Sequence, residues 1–190
     1  MRQAVSFLQK DQPKKAIDVF NQILKAEPEH KEALFNKGTA LNQIRKYHDA
    51  ITCFEKILKK EPNNEIVLNN MAIAQAELGN VDGAMASYDK AIKSKSSYAP
   101  SHYNKGVLLD RLFRHEEALE SLENAIKIDA TKPNALFYKG VILAKLQKAR
   151  GGAELLFQGS PKSSGSHGGV FPQRARACRD RKASRRNNYF

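Results

Sequence analysis

Ala16, Ala50, Ala84 and Ala118 stand 34 residues apart, and a fixed interval of this length implies a stacked array of small supersecondary units. Other columns keep the same interval. Phe20, Phe54, Tyr88 and Leu122 form one, and Ile23, Ile57, Ala91 and Ala125 another. Gly38, Gly106 and Gly140 form a third, with Ala4 and Ala72 in the same slot. A single unit of this size cannot bury its own apolar stripe, so each copy must lean on its neighbours. Such a stack presents an open groove and encloses no active site, which makes holding another molecule its default role.

Within one period, Lys31 to Asn64, the spacing predicts two helices. Leu34, Gly38 and Leu41 recur at three- and four-residue steps, the mark of one buried helical stripe. Ile44-Arg45-Lys46 makes a short turn, and Tyr47, Ala50, Ile51, Phe54, Ile57 and Leu58 form a second stripe. Glu61-Pro62-Asn63-Asn64 ends it, because proline cannot continue a helix and disfavours the helical conformation of the residue before it. The same unit reads from 65 to 98 and from 99 to 132. A first copy (1–30) is clipped, and a fifth (133–148) starts with Leu136, Gly140 and Leu143 and then loses register. Helices are predicted near 13–26, 31–44, 47–60, 65–78, 81–94, 99–112, 115–128 and 133–147, behind a short 2–9 segment. The last is expected to cover the end of the stack.

The runs Leu34-Phe35-Asn36-Lys37-Gly38, Tyr103-Asn104-Lys105-Gly106 and Leu136-Phe137-Tyr138-Lys139-Gly140 resemble the tetratricopeptide repeat. Tyr47-His48-Asp49-Ala50-Ile51, Val81-Asp82-Gly83-Ala84-Met85 and Glu116-Glu117-Ala118-Leu119 carry the resemblance into the second helices, so that it spans residues 1–148. It implies an all-α, right-handed α-solenoid of helix-turn-helix repeats that acts as a protein-interaction scaffold. The chain departs from the family where Leu34, Leu68, His102 and Leu136 replace the usual early tryptophan. It departs again where Lys37, Lys105 and Lys139 replace the usual leucine before the glycine. A lysine stem still covers apolar surface while its ammonium stays in water.

Charge is unevenly placed. Residues 1–149 carry 23 Lys/Arg and 18 Asp/Glu, whereas residues 150–190 carry 9 and 2. The net charge of +12 therefore belongs mostly to the tail and is no argument that the repeats bind nucleic acid. Residues 149–190 are rich in Gly, Ser and Arg, lack apolar periodicity and are expected to be disordered. Glu154 to Ser160 is similar to the cleavage sequence of a picornaviral cysteine protease, with serine where that site prefers proline, which leaves open whether the tail is native. The two cysteines, Cys53 and Cys178, fit neither a metal-ligand spacing nor a disulfide framework. No signal-peptide or membrane-spanning run is read, and the expected location is cytoplasmic.

Asn36, Asn70 and Asn104 form a further column. Asparagine is a poor residue inside a helix, so three in one slot ask for a cause. In the family this slot faces the concave surface, where an amide offers both a donor and an acceptor to an extended peptide. Helices packed roughly 8–10 Å apart and a peptide advancing about 3.3 Å per residue would set one grip at about every third guest residue. Two other origins stand beside this one: inheritance by duplication, and hydrogen bonding to the adjacent repeat. Tyr138 breaks the column in the fifth copy. The resemblance places Phe35, Thr39, Asn69, Ile73, Tyr103, Val107, Phe137 and Val141 on the same face, with Asn42, Gln43, Glu77, Asp110, Arg111 and Lys145 deeper. Such a groove suits an extended peptide with apolar side chains. The aromatics have an alternative role in packing one repeat on the next.

Other chemistry is weakly represented. The family's cationic clamp for acidic chaperone tails is absent in this register, where Phe35, Thr39, Pro100 and Asn104 occupy its places. His115-Glu116-Glu117 lacks the second histidine of a zinc-protease helix. Cys53 lies in a packing stripe, and His30 and His48 stand at turns. No catalytic residue, metal ligand or cofactor is expected. A protein or peptide partner is expected, with no membrane contact. Two alternatives remain: nonspecific nucleic-acid binding through the basic tail, and weak self-association through the incomplete end repeats.

Overall fold

The computed structural model describes residues 1–130 and 133–158. Among them the secondary structure is helical throughout, in the order α1 Arg2–Gln9, α2 Pro13–Ala26, α3 Lys31–Gln43, α4 Tyr47–Lys60, α5 Glu65–Glu77, α6 Val81–Ser94, α7 Ala99–Arg111, α8 His115–Ile128 and α9 Pro133–Gln158. The second helix of each repeat has the bounds read from periodicity. The first helices α3, α5 and α7 stop one residue earlier. Contacts divide the chain after Gly151, and the repeats occupy the unit Met1–Gly151.

The turn inside each repeat explains the sharp bounds. Asp11, Arg45, Gly79 and Phe113 all have φ between +52° and +79°, and they too are 34 residues apart. The following backbone N–H then reaches five residues back, from Gln12 to Phe7 O, Lys46 to Leu41 O, Asn80 to Gln75 O and Arg114 to Leu109 O, at 2.8–2.9 Å. This left-handed closure satisfies carbonyls that the helix end would orphan. Only Gly79 adopts the conformation without steric cost; Arg45 and Phe113 pay roughly 1–2 kcal/mol each. The starts of α3, α5 and α6 are capped by side chains. His30 Nδ1 accepts from Ala33 N at 3.2 Å, Asn64 Oδ1 from Val67 N at 3.1 Å and Asn80 Oδ1 from Gly83 N at 3.0 Å. His30, placed at a turn by its sequence, is thus an N-cap, in the slot that Asn64 fills one repeat later.

Packing follows the columns. Ala16, Ala50, Ala84 and Ala118 are fully buried, as are Phe20, Phe54 and Leu122. From α1 to α8 each helix packs on the next, and α3 also touches α5, as α5 touches α7. One core surrounds Leu34, Leu41, Phe54, Ile57 and Val67, and another surrounds Ala72, Ala84, Tyr88 and Leu108. Cys53 lies in the first of these, and burial pushes its thiol pKa up against the opposing pull of Lys37 and Lys56. It is a packing residue. The buried Tyr88 hydroxyl has its pKa raised by burial in the same way.

The end of the stack differs from the sequence reading. α9 was expected to close at 147, yet it continues to Gln158 through Gly151 and Gly152. Glycine inside a helix costs about 1 kcal/mol relative to alanine and does not forbid the conformation. The expected disorder therefore does not apply to 149–158, and its remainder, 159–190, lies outside the described residues. Ile142 is fully buried, and Tyr138 and Leu146 pack on the core of Leu109 and Leu122, which seats α9 on the fourth repeat. Its other side is open: Leu136 and Leu143 are 51% and 43% exposed, against 4% and 3% for Leu34 and Leu41 in the same columns.

Two substitutions in one column should therefore have opposite signs. A Cβ on Gly38 would stand 2.6 Å from Cε1 of the enclosed Phe54 ring, whereas a Cβ on Gly140 meets nothing within 4 Å. Gly38→Ala should destabilise by about 1–3 kcal/mol through overpacking, and Gly140→Ala should stabilise by up to about 1 kcal/mol through helix propensity. Urea denaturation midpoints of the two variants check this.

Candidate peptide-binding face

The first helices α3, α5, α7 and α9 supply the candidate face. A Tyr103–Tyr138 edge contact at 5.9 Å joins α7 to α9. Helical period brings positions 32, 35, 36 and 39, and their equivalents at intervals of 34, to one side of these helices. Sixteen residues occupy the strip: Glu32, Phe35, Asn36 and Thr39 on α3, and their counterparts through Asn134, Phe137, Tyr138 and Val141 on α9. Glu32 is the one charged residue among them. Thr39, Ile73 and Val107 are half-buried along its middle. Thr39 returns its hydroxyl proton to Phe35 O at 3.0 Å, and Ile73 packs on the Ala72–Tyr88 core.

The three asparagines are all half-buried, yet they are not equivalent. Asn70 Nδ2 donates to Ile66 O in its own helix at 2.8 Å. Asn104 Nδ2 donates across the repeat boundary to Asn69 Oδ1 at 3.0 Å. The Asn36 amide has no hydrogen-bond partner among the described residues. Asn42 enters the row by donating to the Asn70 backbone carbonyl at 3.1 Å, while its own Oδ1 is buried and unpaired.

Asn69 departs most from its sequence placement. It belongs to the column of Phe35, Tyr103 and Phe137 and was expected to line the groove; instead it is buried, with Ser101 Oγ at 3.4 Å and Asn104 Nδ2 at 3.0 Å on its one oxygen. A buried amide must find partners, and Asn69 finds them in the next repeat. The signal was present in the sequence: an asparagine where its column is otherwise aromatic.

The aromatics divide similarly. Phe35 packs on Phe54 with ring centroids 6.3 Å apart and also lines a depression of about 580 Å³ with Glu27, His30, Lys31, Glu32, Ile66 and Val67. Two repeats later Tyr103 and Asn104 line a depression of about 200 Å³ with Pro100, Asn134 and Ala135. Five of these positions match the first depression in register: Pro100, Tyr103, Asn134 and Ala135 stand 68 residues after Glu32, Phe35, Ile66 and Val67, as Ala99 does after Lys31. Phe137 is 70% exposed. Packing and lining are thus both true of Phe35 and Tyr103, while Phe137 touches the Tyr138 ring edge-on and is otherwise exposed.

The charged residues of the deeper row are committed to ion pairs between repeats. Arg111 pairs with Glu77, and Lys145 reaches both oxygens of Asp110 at 2.9 and 2.6 Å while His115 Nδ1 stands 3.0 Å from the same carboxylate. Asp110 is buried, so these contacts compensate a charge removed from water.

Comparison with known proteins agrees with this architecture. A family model described as Psidin, N-terminal TPR repeats region matches residues 2–105, and one described as Tetratricopeptide repeat matches residues 99–132. No curated protein matches the chain. Among solved structures, MamA 41-end from Desulfovibrio magneticus RS-1 superimposes with a TM-score of 0.66 at 19% identity, covering 83% of this chain and 89% of that one. YrrB, described as a TPR protein with an unusual peptide-binding site, gives 0.64 at 24% identity, covering 72% and 71%. The first TPR of Spaghetti (RPAP3), bound to an HSP90 peptide, gives 0.57 at 24% identity, covering 62% and 93%. At these identities the likeness is one of fold. Repeats of this class typically mediate protein–protein contacts and are typically non-catalytic. More than half of the chain fits one family model, its helices pair in sequence as the repeat requires, and the chain belongs to the tetratricopeptide-repeat family.

Proposed function

We propose that this chain is an interaction scaffold that holds an extended peptide segment of a partner protein along the face of α3, α5, α7 and α9. The observation that carries the reading is the strip of sixteen residues with a single charge, bearing an exposed Phe137, a half-buried Phe35 and an unpaired Asn36 amide. A strip with a single charge and apolar wall rewards apolar side chains, whose burial is worth roughly 25 cal/mol per Å². One neighbour of the same fold described as peptide-bound and another described as having a peptide-binding site are consistent with it.

The amides refine the grip. With one Nδ2 hydrogen each committed inside the protein, Asn70 and Asn104 keep one N–H donor and the Oδ1 acceptor for a guest. Asn36 keeps both of its donors as well as its acceptor. A proline facing Asn36, Asn70 or Asn104 would forfeit the N–H that an Oδ1 atom accepts.

Selecting peptides from a random twelve-residue display library on the full chain supplies the probe. Asn36→Ala should weaken the selected peptides by about five- to tenfold, the worth of one hydrogen bond, and leave the denaturation midpoint unchanged. Asn104→Ala should lower stability by about 1–2 kcal/mol, because the buried Asn69 oxygen keeps only the long Ser101 contact. Selected peptides insensitive to both Asn36→Ala and Phe35→Ala would remove the proposed face, as would a library that yields none.

A further inference from the structure

The lysine column Lys37, Lys105 and Lys139 has a partner column sixteen residues earlier. Lys105 Nζ pairs with Asp89 at 2.6 Å, and Lys139 Nζ pairs with Glu123 at 3.0 Å. Each pair ties the second helix of one repeat to the first helix of the next. At the α4–α5 seam the positions are Glu55 and Met71, and Met71 packs against the core. At the α2–α3 seam they are Asn21 and Lys37. Here the lysine is present and the acid is not, and Lys37 has no ion-pair partner among the described residues.

The surface is hollow at this seam. Two adjoining depressions of about 440 and 500 Å³ share Asn21, Leu24 and Lys37. Ile17, Leu34 and Leu41 contribute apolar wall, and the charged residues around them are Lys25, Lys37, Lys46 and Lys56 against Asp18 and Asp49. None of these four lysines makes an ion pair among the described residues, so the hollow carries a positive field over an apolar wall. Leu34, Lys37 and Leu41 lie on the side of α3 opposite Phe35, Asn36 and Thr39, since residues three and four apart share a helix face. The seam is therefore a surface separate from the face proposed above and does not depend on it.

We propose that the α2–α3–α4 seam is a second interaction surface, which takes an acidic segment of a partner protein and seats one of its carboxylates on Lys37, in the place that Asp89 and Glu123 fill at later seams. The flanking Lys46 and Lys56 favour further acidic residues in that segment, and the half-buried Ile17 and Leu24 receive its apolar side chains. Like charges facing the lysines would be rejected, so the surface selects by sign.

The test uses the full chain and a fluorescein-labelled fourteen-residue peptide of glutamate with leucine at every third or fourth position, beside the same peptide with glutamine for glutamate. Asn21→Asp restores the missing acid and fills the seat from within. Lys37→Met removes the cation with a side chain that this column already carries at Met71. Both variants should weaken the glutamate peptide at least fivefold at low salt, and the glutamine peptide should bind the parent chain at least fivefold more weakly. Phe35→Ala should leave the affinity unchanged, which separates this surface from the other face. The nine Lys/Arg of residues 150–190 act alike in every variant and cancel in the comparison. Equal binding by parent, Asn21→Asp and Lys37→Met, including no binding by any of them, overturns the proposal. A parent dimer that Asn21→Asp converts to monomer in light scattering also overturns it, by giving the seam to a second copy of the chain.

Discussion

Everything in this molecule rests on the close approach of two helices at a residue without bulk. Ala16, Ala50, Ala84 and Ala118 are fully buried where second helices meet their neighbours, and Gly38 lies against the Phe54 ring. Interaxial separations of roughly 8–10 Å leave no room there for a larger side chain. Large residues then fill the space between contacts: Phe20, Phe54, Tyr88 and Leu122 in a column of their own. The left-handed turn at Asp11, Arg45, Gly79 and Phe113 brings each pair of helices back on itself so that the contact forms. That two of the four carry large side chains there, at a conformational cost, shows how firmly the packing dictates the turn.

Against this constant framework, the junctions between repeats vary, and the variation carries the chemistry. The junction of the third and fourth repeats is closed by the Asn69 amide with Ser101 and Asn104 and by the Lys105–Asp89 pair, and the next junction by the Lys139–Glu123 pair. Where the closing group is missing, a hollow remains: beside Phe35 on one side of α3, and beside Lys37 on the other. Both hollows gather around the first complete repeat. The two surfaces differ in character, one amide-bearing with charges of both signs at its rim, the other dominated by lysine.

The architecture was legible in the sequence because a 34-residue period repeats each local signal several times. Columns of alanine and phenylalanine, the stop at Pro62 and the turn at Arg45 point to one arrangement, and the second helices fall at their predicted bounds. The site was legible only in part. Column membership placed Phe35, Asn36 and Tyr103 on the first-helix face, but it could not distinguish Asn36, whose amide is unpaired, from Asn104, whose amide is tied to Asn69. That distinction depends on which residue the neighbouring repeat presents, a long-range fact. The extension of α9 through Gly151 and Gly152 shows the opposite weakness, since composition overstated the breaking power of glycine.

The central claim is that stability is supplied by stacking and runs out where a helix loses its cover. Leu136 and Leu143 of α9 are exposed where Leu34 and Leu41 of α3 are enclosed, so opening of α9 should cost little beside opening of α4 to α7. Native-state amide hydrogen exchange measures this helix by helix. Slowest exchange in α4, α5, α6 and α7, with α1 and α9 exchanging fastest, is the predicted order; protection of α9 equal to that of α5 would contradict it.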